Sequence, residues 1–243
     1  MKAEQLQLAL RPRRAFEAVD LGVQMTQRGR RSLVRAYLPL ALMGVVACGA
    51  TIEIAPWLPS LLLWWCKPWL DRTLLDIYAR QAFGEETRFS DAWEARRRAP
   101  WLPMIERLTW LRLSFWRAYS TPVTQLEGQA GAARRKRVRA IVRNHWGAGL
   151  LLQASCALIE LLLVIAMFVL FPLLTPGLHF HTVPWMFTES LAANCLLFAI
   201  HAVAVLFVEP YYVAGGFAMY LNRRVELEAW DVEQGLRHAF AAR

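Results

Sequence analysis

Apolar residues along the chain gather into two long windows, residues 36–66 and 144–222, and neither contains a Lys or Arg. All 28 basic residues lie outside them. A bilayer imposes this segregation, because charge is costly in hydrocarbon and Lys/Arg-rich loops stay cytoplasmic. Residues 36–54 form the first run, uncharged until Glu53. As a helix rising about 1.5 Å per residue, that run is long enough to cross roughly 30 Å of hydrocarbon. Pro56-Trp57-Leu58-Pro59 then turns the chain, with Trp57 suited to the far interface. The next apolar run, residues 57–66, is only ten residues long before Lys67, Pro68, Asp71, Arg72 and Asp76 arrive. Ten residues do not cross a bilayer as a helix. If the chain failed to return, however, the 14 basic residues of segment 80–143 would lie outside. The pattern therefore predicts a second span that runs to about residue 80 and carries its charges with it.

The second window holds the third span, residues 146–171, interrupted by Gln153, Ser155 and Glu160. An outer loop without Lys or Arg follows at residues 172–184. The fourth span starts at Trp185, reaches about residue 208 and continues as a helix through Tyr220. The predicted fold is all-α and integral to the membrane: four transmembrane helices in two hairpins, with amphipathic cytoplasmic helices between and around them. In order, the chain divides into a basic amphipathic arm (1–35), a first hairpin (36–80) and a cytoplasmic amphipathic and polybasic segment (81–145). A second hairpin (146–220) and a cytoplasmic tail helix (221–243) complete it. Leu6, Leu10, Phe16, Val19, Val23 and Val34 give the arm its apolar face, and Pro12 breaks its first stretch. Residues 105–119 interleave Trp110, Phe115 and Trp116 with Arg107, Arg112 and Arg117, as interfacial helices do. The two halves also look alike: each has a Pro-Trp turn (Pro56-Trp57, Pro184-Trp185) and a charged residue before Pro with Tyr ten residues on (Pro68 to Tyr78, Pro210 to Tyr220). A tandem hairpin repeat would explain the likeness, but the Pro-Trp pairs are offset by 128 residues (184 − 56) and the charged-Pro pairs by 142 (210 − 68), which resists it.

Composition sharpens this picture more than it changes it. Hydrophobic residues make up 56% of the 243, beside a net charge of +9. That pairing fits apolar spans joined by basic segments, with anionic lipid headgroups as the partner. Nucleic acid is not expected, since no recognisable binding fold surrounds the basic residues. Cys48, Cys66, Cys156 and Cys195 show no ligand or redox spacing and read as small buried hydrophobes. Val45-Val46-Ala47-Cys48 resembles a lipoprotein cleavage box, but the long basic stretch before it favours a retained span. The signatures GxSxG, HExxH, P-loop and GxGxxG are absent.

Chemistry is concentrated at a few positions. Glu160 falls near the middle of the third span, where an acid needs a partner. His201, at similar depth in the antiparallel fourth span, is the expected one, with Asn194 further out. Gln153, Cys156, Glu160 and Val164 share one helical face; Asn194, Phe198 and His201 share another. A proton- or ion-linked site is the functional reading, and interhelical glue the plainer one. Lys67, Asp71, Arg72 and Asp76 place opposite charges four residues apart, so a ladder neutralised along one helix is expected, with a headgroup site as the functional alternative. Glu209-Pro210 and Gly215-Gly216 mark a kink and a close-packing point. Arg134, Arg135, Lys136, Arg137 and Arg139 form a polybasic patch for anionic lipid, each worth about 1 kcal/mol near the surface. His179 and His181 are too few for a metal site, and no cofactor is implied.

Three stretches carry a family resemblance. They are Lys67-Pro68-Trp69-Leu70-Asp71-Arg72 with Arg80 and Phe83-Gly84; Pro122 to Gly128 leading into Arg134–Arg139; and Glu209-Pro210-Tyr211-Tyr212-Val213-Ala214-Gly215-Gly216 through Tyr220-Leu221-Asn222-Arg223-Arg224 to Trp230-Asp231. Together they resemble a group of uncharacterised proteobacterial inner-membrane proteins. More remotely, the architecture is similar to the membrane domain fused to some glycerophosphodiester phosphodiesterases. The resemblance implies a bacterial inner membrane and supplies no catalytic residue. The functional expectation is an accessory or scaffold subunit with a protein partner in the membrane or at its cytoplasmic face, of unspecified oligomeric state. The alternative is a small-solute or proton-linked transporter acting as an oligomer.

Overall fold

The computed structural model describes residues 13–98, 117–143, 145–174, 188 and 190–228, and among these every regular element is a helix. We number them α1 (Ala15–Arg28), α2 (Arg30–Gly49), α3 (Leu58–Ala82), α4 (Phe89–Arg98), α5 (Arg117–Gln125), α6 (Gly131–Val142), α7 (Trp146–Leu173) and α8 (Leu191–Glu228). Several expected features lie outside the described residues: Leu6, Leu10 and Pro12 of the arm, the amphipathic stretch 105–116, His179 and His181, the Pro184-Trp185 turn, and the tail from residue 229.

Three of the helices, α2, α7 and α8, are long and apolar enough to cross a membrane. The protein is thus an all-helical chain with the makings of a membrane protein. α2 includes a wider π-helical turn at Leu33–Tyr37 before its apolar stretch. The 25-residue α3 has the length, but Lys67, Asp71, Arg72 and Asp76 make it more polar than the other three.

The 38-residue α8 is about 57 Å long at the usual helical rise. That exceeds the roughly 30 Å of a bilayer's hydrocarbon core. It packs against α1, α2, α3, α5, α6 and α7 and organises the molecule. Its C-terminal half, with that of α3, forms the main core around Leu74, Ile77, Tyr78, Phe217 and Tyr220, all 0% exposed. A smaller cluster joins Cys48, Ile52, Leu63, Phe198, Ala202 and Val205 at the other end. α7 behaves differently. Only 6% of its most apolar stretch is buried within the chain, against 39% for α8, so its surface is left to lipid or to another protein.

Specific contacts fix how these helices meet. α1 lies along α8, where Gly22 approaches the Ala214–Gly215 backbone too closely to admit a side chain. The Tyr78 hydroxyl of α3 donates to the Pro210 carbonyl at 3.1 Å and sits 3.1 Å from the Thr26 hydroxyl of α1, tying three helices at one buried point. Asn222 accepts from the Arg13 backbone N–H (2.7 Å) and donates to its carbonyl (2.8 Å), clamping the chain just before α1. α3 ends where Gly84 turns left-handed (φ 77°), with Glu85 N–H on the Arg80 carbonyl and Gly84 N–H on that of Gln81. This closing motif favours glycine because other residues resist positive φ.

Candidate functional site

Five ionisable side chains from four helices form an alternating chain of charge inside the molecule. It starts at Asp71 of α3, which faces Arg117 Nε of α5 at 3.1 Å. Arg117 Nη2 reaches Glu209 Oε1 of α8, also at 3.1 Å. The other Glu209 oxygen lies 3.3 Å from Lys67 Nζ, and Lys67 donates to Glu160 Oε2 of α7. Beyond it, Glu160 Oε1 faces His201 Nε2 at 3.8 Å. Sign alternates at each step, and burial is deep at one end and shallower at the other. The side chains of Asp71 and Glu209 are 3% exposed, Glu160 and His201 17% and 21%. Removing such ions from water costs several kcal/mol each, roughly, and only well-placed partners recover it. Arg117 adds a further contact, its guanidinium 5.0 Å from the centre of the Tyr212 ring.

All of these charges but Asp71 line a cavity of about 660 Å³ between α3, α7 and α8. Lys67, Glu160, His201 and Glu209 provide its polar side; Ala157, Leu161, Val164 and Trp64 its apolar side. Leu161 and Trp64 are substantially exposed, so the cavity opens to the surroundings. α3 and α7 each pack mainly on α8 rather than on one another, and the Lys67–Glu160 ion pair spans the gap between them.

The expected seam between the third and fourth spans is present in part. Gln153, Cys156, Glu160, Val164 and His201 all line the cavity, whereas Asn194 lies two turns outward and does not. The strongest partner of Glu160 is Lys67, which the four-residue spacing along α3 pairs with Asp71 instead. Of the ladder expected along α3, the Lys67–Asp71 rung is corrected, while Arg72 still faces the Asp76 charge four residues on. Lys67 pairs with α7 and α8, Asp71 with α5, and Asp76 accepts from Gln125 Nε2 at 2.6 Å. The same Gln125 amide donates to the Arg72 carbonyl at 2.8 Å. Glu209, expected only to mark a kink with Pro210, is the centre of the charge chain. Gly215 and Gly216 are buried as a close-packing point requires.

The polybasic patch divides by helical face. Arg134 is buried and donates to the Thr124 hydroxyl at 2.8 Å. Arg137 forms a bidentate pair with Glu127 (2.8 and 3.1 Å) and also binds Glu228. Those partners hold the Arg137 guanidinium more firmly protonated than usual, the Glu127 hydrogen bonds first among them. Glu127 also receives the Tyr220 hydroxyl at 2.7 Å. Arg135, Lys136 and Arg139 are exposed.

Arg117, Asn222 and Gly22 were not legible as important. Arg117 sits in an interfacial pattern with other arginines, and nothing local distinguishes it. No group of three or more His, Cys, Asp or Glu fit to hold a metal ion occurs among the described residues. Comparison with protein-family models, with curated proteins and with solved structures finds no match to this chain.

Proposed function

We propose that the protein is a small-solute or proton-linked transporter, acting as an oligomer in a bacterial inner membrane, with Lys67, Glu160, Glu209 and His201 as its intramembrane site. The observation that carries this reading is the 660 Å³ cavity itself. Charges that only tie helices together need no open volume beside them, whereas intramembrane charges facing a cavity mark substrate or ion paths. Here the charge chain instead ends at an open space, with Glu160 and His201 on its wall.

The reading includes a four-span topology with α2, α3, α7 and α8 as spans and both termini cytoplasmic. α3 is admitted because its charges face other helices rather than lipid: Lys67 and Asp71 are 7% and 2% exposed. Basic segments then all fall on the inner side. Reporter fusions after Trp57 should map outside and after Gly128 inside. A periplasmic Gly128 would overturn the topology and the transport reading with it.

A second reading, an accessory subunit bound to a protein partner, draws on the bare surface of α7. Leu158, Leu161, Leu162, Ile165 and Val169 are all about half exposed or more. The same surface would close an oligomer. Purification in mild detergent followed by reconstitution separates the two. A transporter gives a homo-oligomer whose proton or solute flux is lost in Glu160→Gln. A stoichiometric foreign partner, with no flux from the isolated chain, would replace the first reading with the second.

A further inference from the structure

Resting on the transport reading, the geometry points to the chemical class of the ligand. We propose that the cavity binds an organic ammonium ion, its nitrogen between Glu160 Oε1 and His201 Nε2 and its apolar part against Ala157, Leu161 and Val164.

Lys67 and Arg117 leave little for an anion. Lys67 faces both Glu160 and Glu209, and Arg117 faces both Asp71 and Glu209. An anion would have to displace a carboxylate already in place and would face three acids of like sign. Glu160 is asymmetric: Oε2 is taken by Lys67, while Oε1 faces only His201 among the described residues. The 3.8 Å between Oε1 and Nε2 is too long for a direct hydrogen bond. An ammonium group can sit about 2.8 Å from both, one N–H giving the carboxylate a charge-assisted bond and another directed at the imidazole Nε2. A neutral hydroxyl has one proton and no charge, so it satisfies only one of the two.

Cavity size and walls add the rest of the class. A volume of about 660 Å³ falls within the few-hundred to thousand Å³ of small-molecule sites. The apolar lining beyond Glu160 suits an alkyl or aryl substituent rather than a bare inorganic cation. The amine can come from a soluble solute or from the ethanolamine headgroup of a lipid, and the chemistry is shared.

The full-length protein in phosphatidylcholine nanodiscs would be titrated with hexylammonium, with hexanol and hexanoate as neutral and anionic controls. The expected result is saturable hexylammonium binding, at least tenfold tighter than either control and lost in Glu160→Gln. Ala157→Trp, which fills the cavity without removing a charge, should also abolish it while the thermal unfolding profile stays close to wild type. Adding phosphatidylethanolamine to the nanodisc should raise the apparent Kd if the headgroup is a natural occupant, and leave it unchanged if the source is soluble. Equal binding of hexanol or hexanoate, or unchanged binding in Glu160→Gln, would overturn the proposal. Flux in proteoliposomes without hexylammonium binding would sink this inference and leave the transport reading standing. Binding without flux would do the reverse.

Discussion

Gly22 of α1 faces the backbone of α8 so closely that a Cβ there would lie 2.6 Å from the Gly215 nitrogen and 2.7 Å from the Ala214 carbonyl. Backbone atoms inside a helix cannot step aside as a side chain does. Gly22→Ala should therefore lift α1 from α8 at a cost of about 1–3 kcal/mol, the usual penalty of overpacking. The neighbouring Gly215→Ala meets softer resistance: Leu152 methyls at 3.3 and 3.4 Å and a Val19 methyl at 3.6 Å. It should cost less than about 1 kcal/mol, as small volume changes do when side chains can repack. Limited proteolysis of the arm and thermal unfolding in detergent would compare the two. Equal effects would mean that the close approach does not govern docking of α1. The sequence reading picked out Gly215-Gly216 because paired glycines stand out in an apolar helix. Gly22 was hidden in a polar stretch, and a glycine's need is set by what lies opposite.

Helices were more legible than their ends or the contacts between them. Apolar length located α2, α7 and α8, but α2 runs Arg30–Gly49 against the expected 36–54 and α8 begins at Leu191 rather than Trp185, whereas α3 ends at Ala82, close to the expected residue 80. Periodicity also put Gln153, Cys156, Glu160 and Val164 on one face, which is the face lining the cavity. Periodicity reports only a helix's own faces, however, and says nothing of which helix will cover each one. Lys67 therefore looked paired with Asp71 four residues on, when its partners lie 93 and 142 residues away (160 − 67 and 209 − 67). Helix starts can be read more locally, and α4 provides a test. Its Asp91 carboxylate accepts the Arg88 backbone N–H at 3.0 Å, reaching back across the first turn. That hydrogen bond, ahead of the nearby Arg80 and Arg88 charges, holds the carboxyl below its ordinary range. A depressed folded-state pKa gives a contribution fully present above the unfolded value of about 4 and lost as pH falls through the folded one. α4 should fray from its start below about pH 4, seen as faster amide exchange near Phe89–Trp93. Asp91→Asn should flatten that dependence; an unchanged profile in the variant would mean another group controls this end.

At the scale of the whole molecule, the net charge of +9 does two separate jobs. Some cations hold helices together and others are left exposed, and α6 carries both kinds on opposite faces. Arg134 and Arg137 point inward, the first onto Thr124 and the second onto Glu127 and Glu228. Arg135, Lys136 and Arg139 face outward. A count of basic residues treats all five alike, but the fold separates them. Replacing the three outward residues together by Gln should weaken attraction to an anionic leaflet by about 3 kcal/mol at most, from about 1 kcal/mol per residue near the surface. Stability in neutral lipid should hardly change, because those side chains have solvent as their alternative partner. Arg137→Gln should do the opposite. It removes the bidentate partner of Glu127, whose side chain is 12% exposed and which keeps only Arg224 Nε at 3.8 Å beside the Tyr220 hydroxyl, while Glu228 retains its pair with Arg224 at 2.6 Å. Its partial exposure puts the loss below the roughly 3–5 kcal/mol of a fully buried broken pair. Native mass spectrometry of co-purified phosphatidylglycerol, paired with thermal unfolding in phosphatidylcholine nanodiscs, reads the two effects separately. The outward triple variant should lose lipid and keep its unfolding temperature; Arg137→Gln should keep its lipid and unfold earlier. If both variants shift both readouts alike, α6 does not divide its charges between the membrane and the fold.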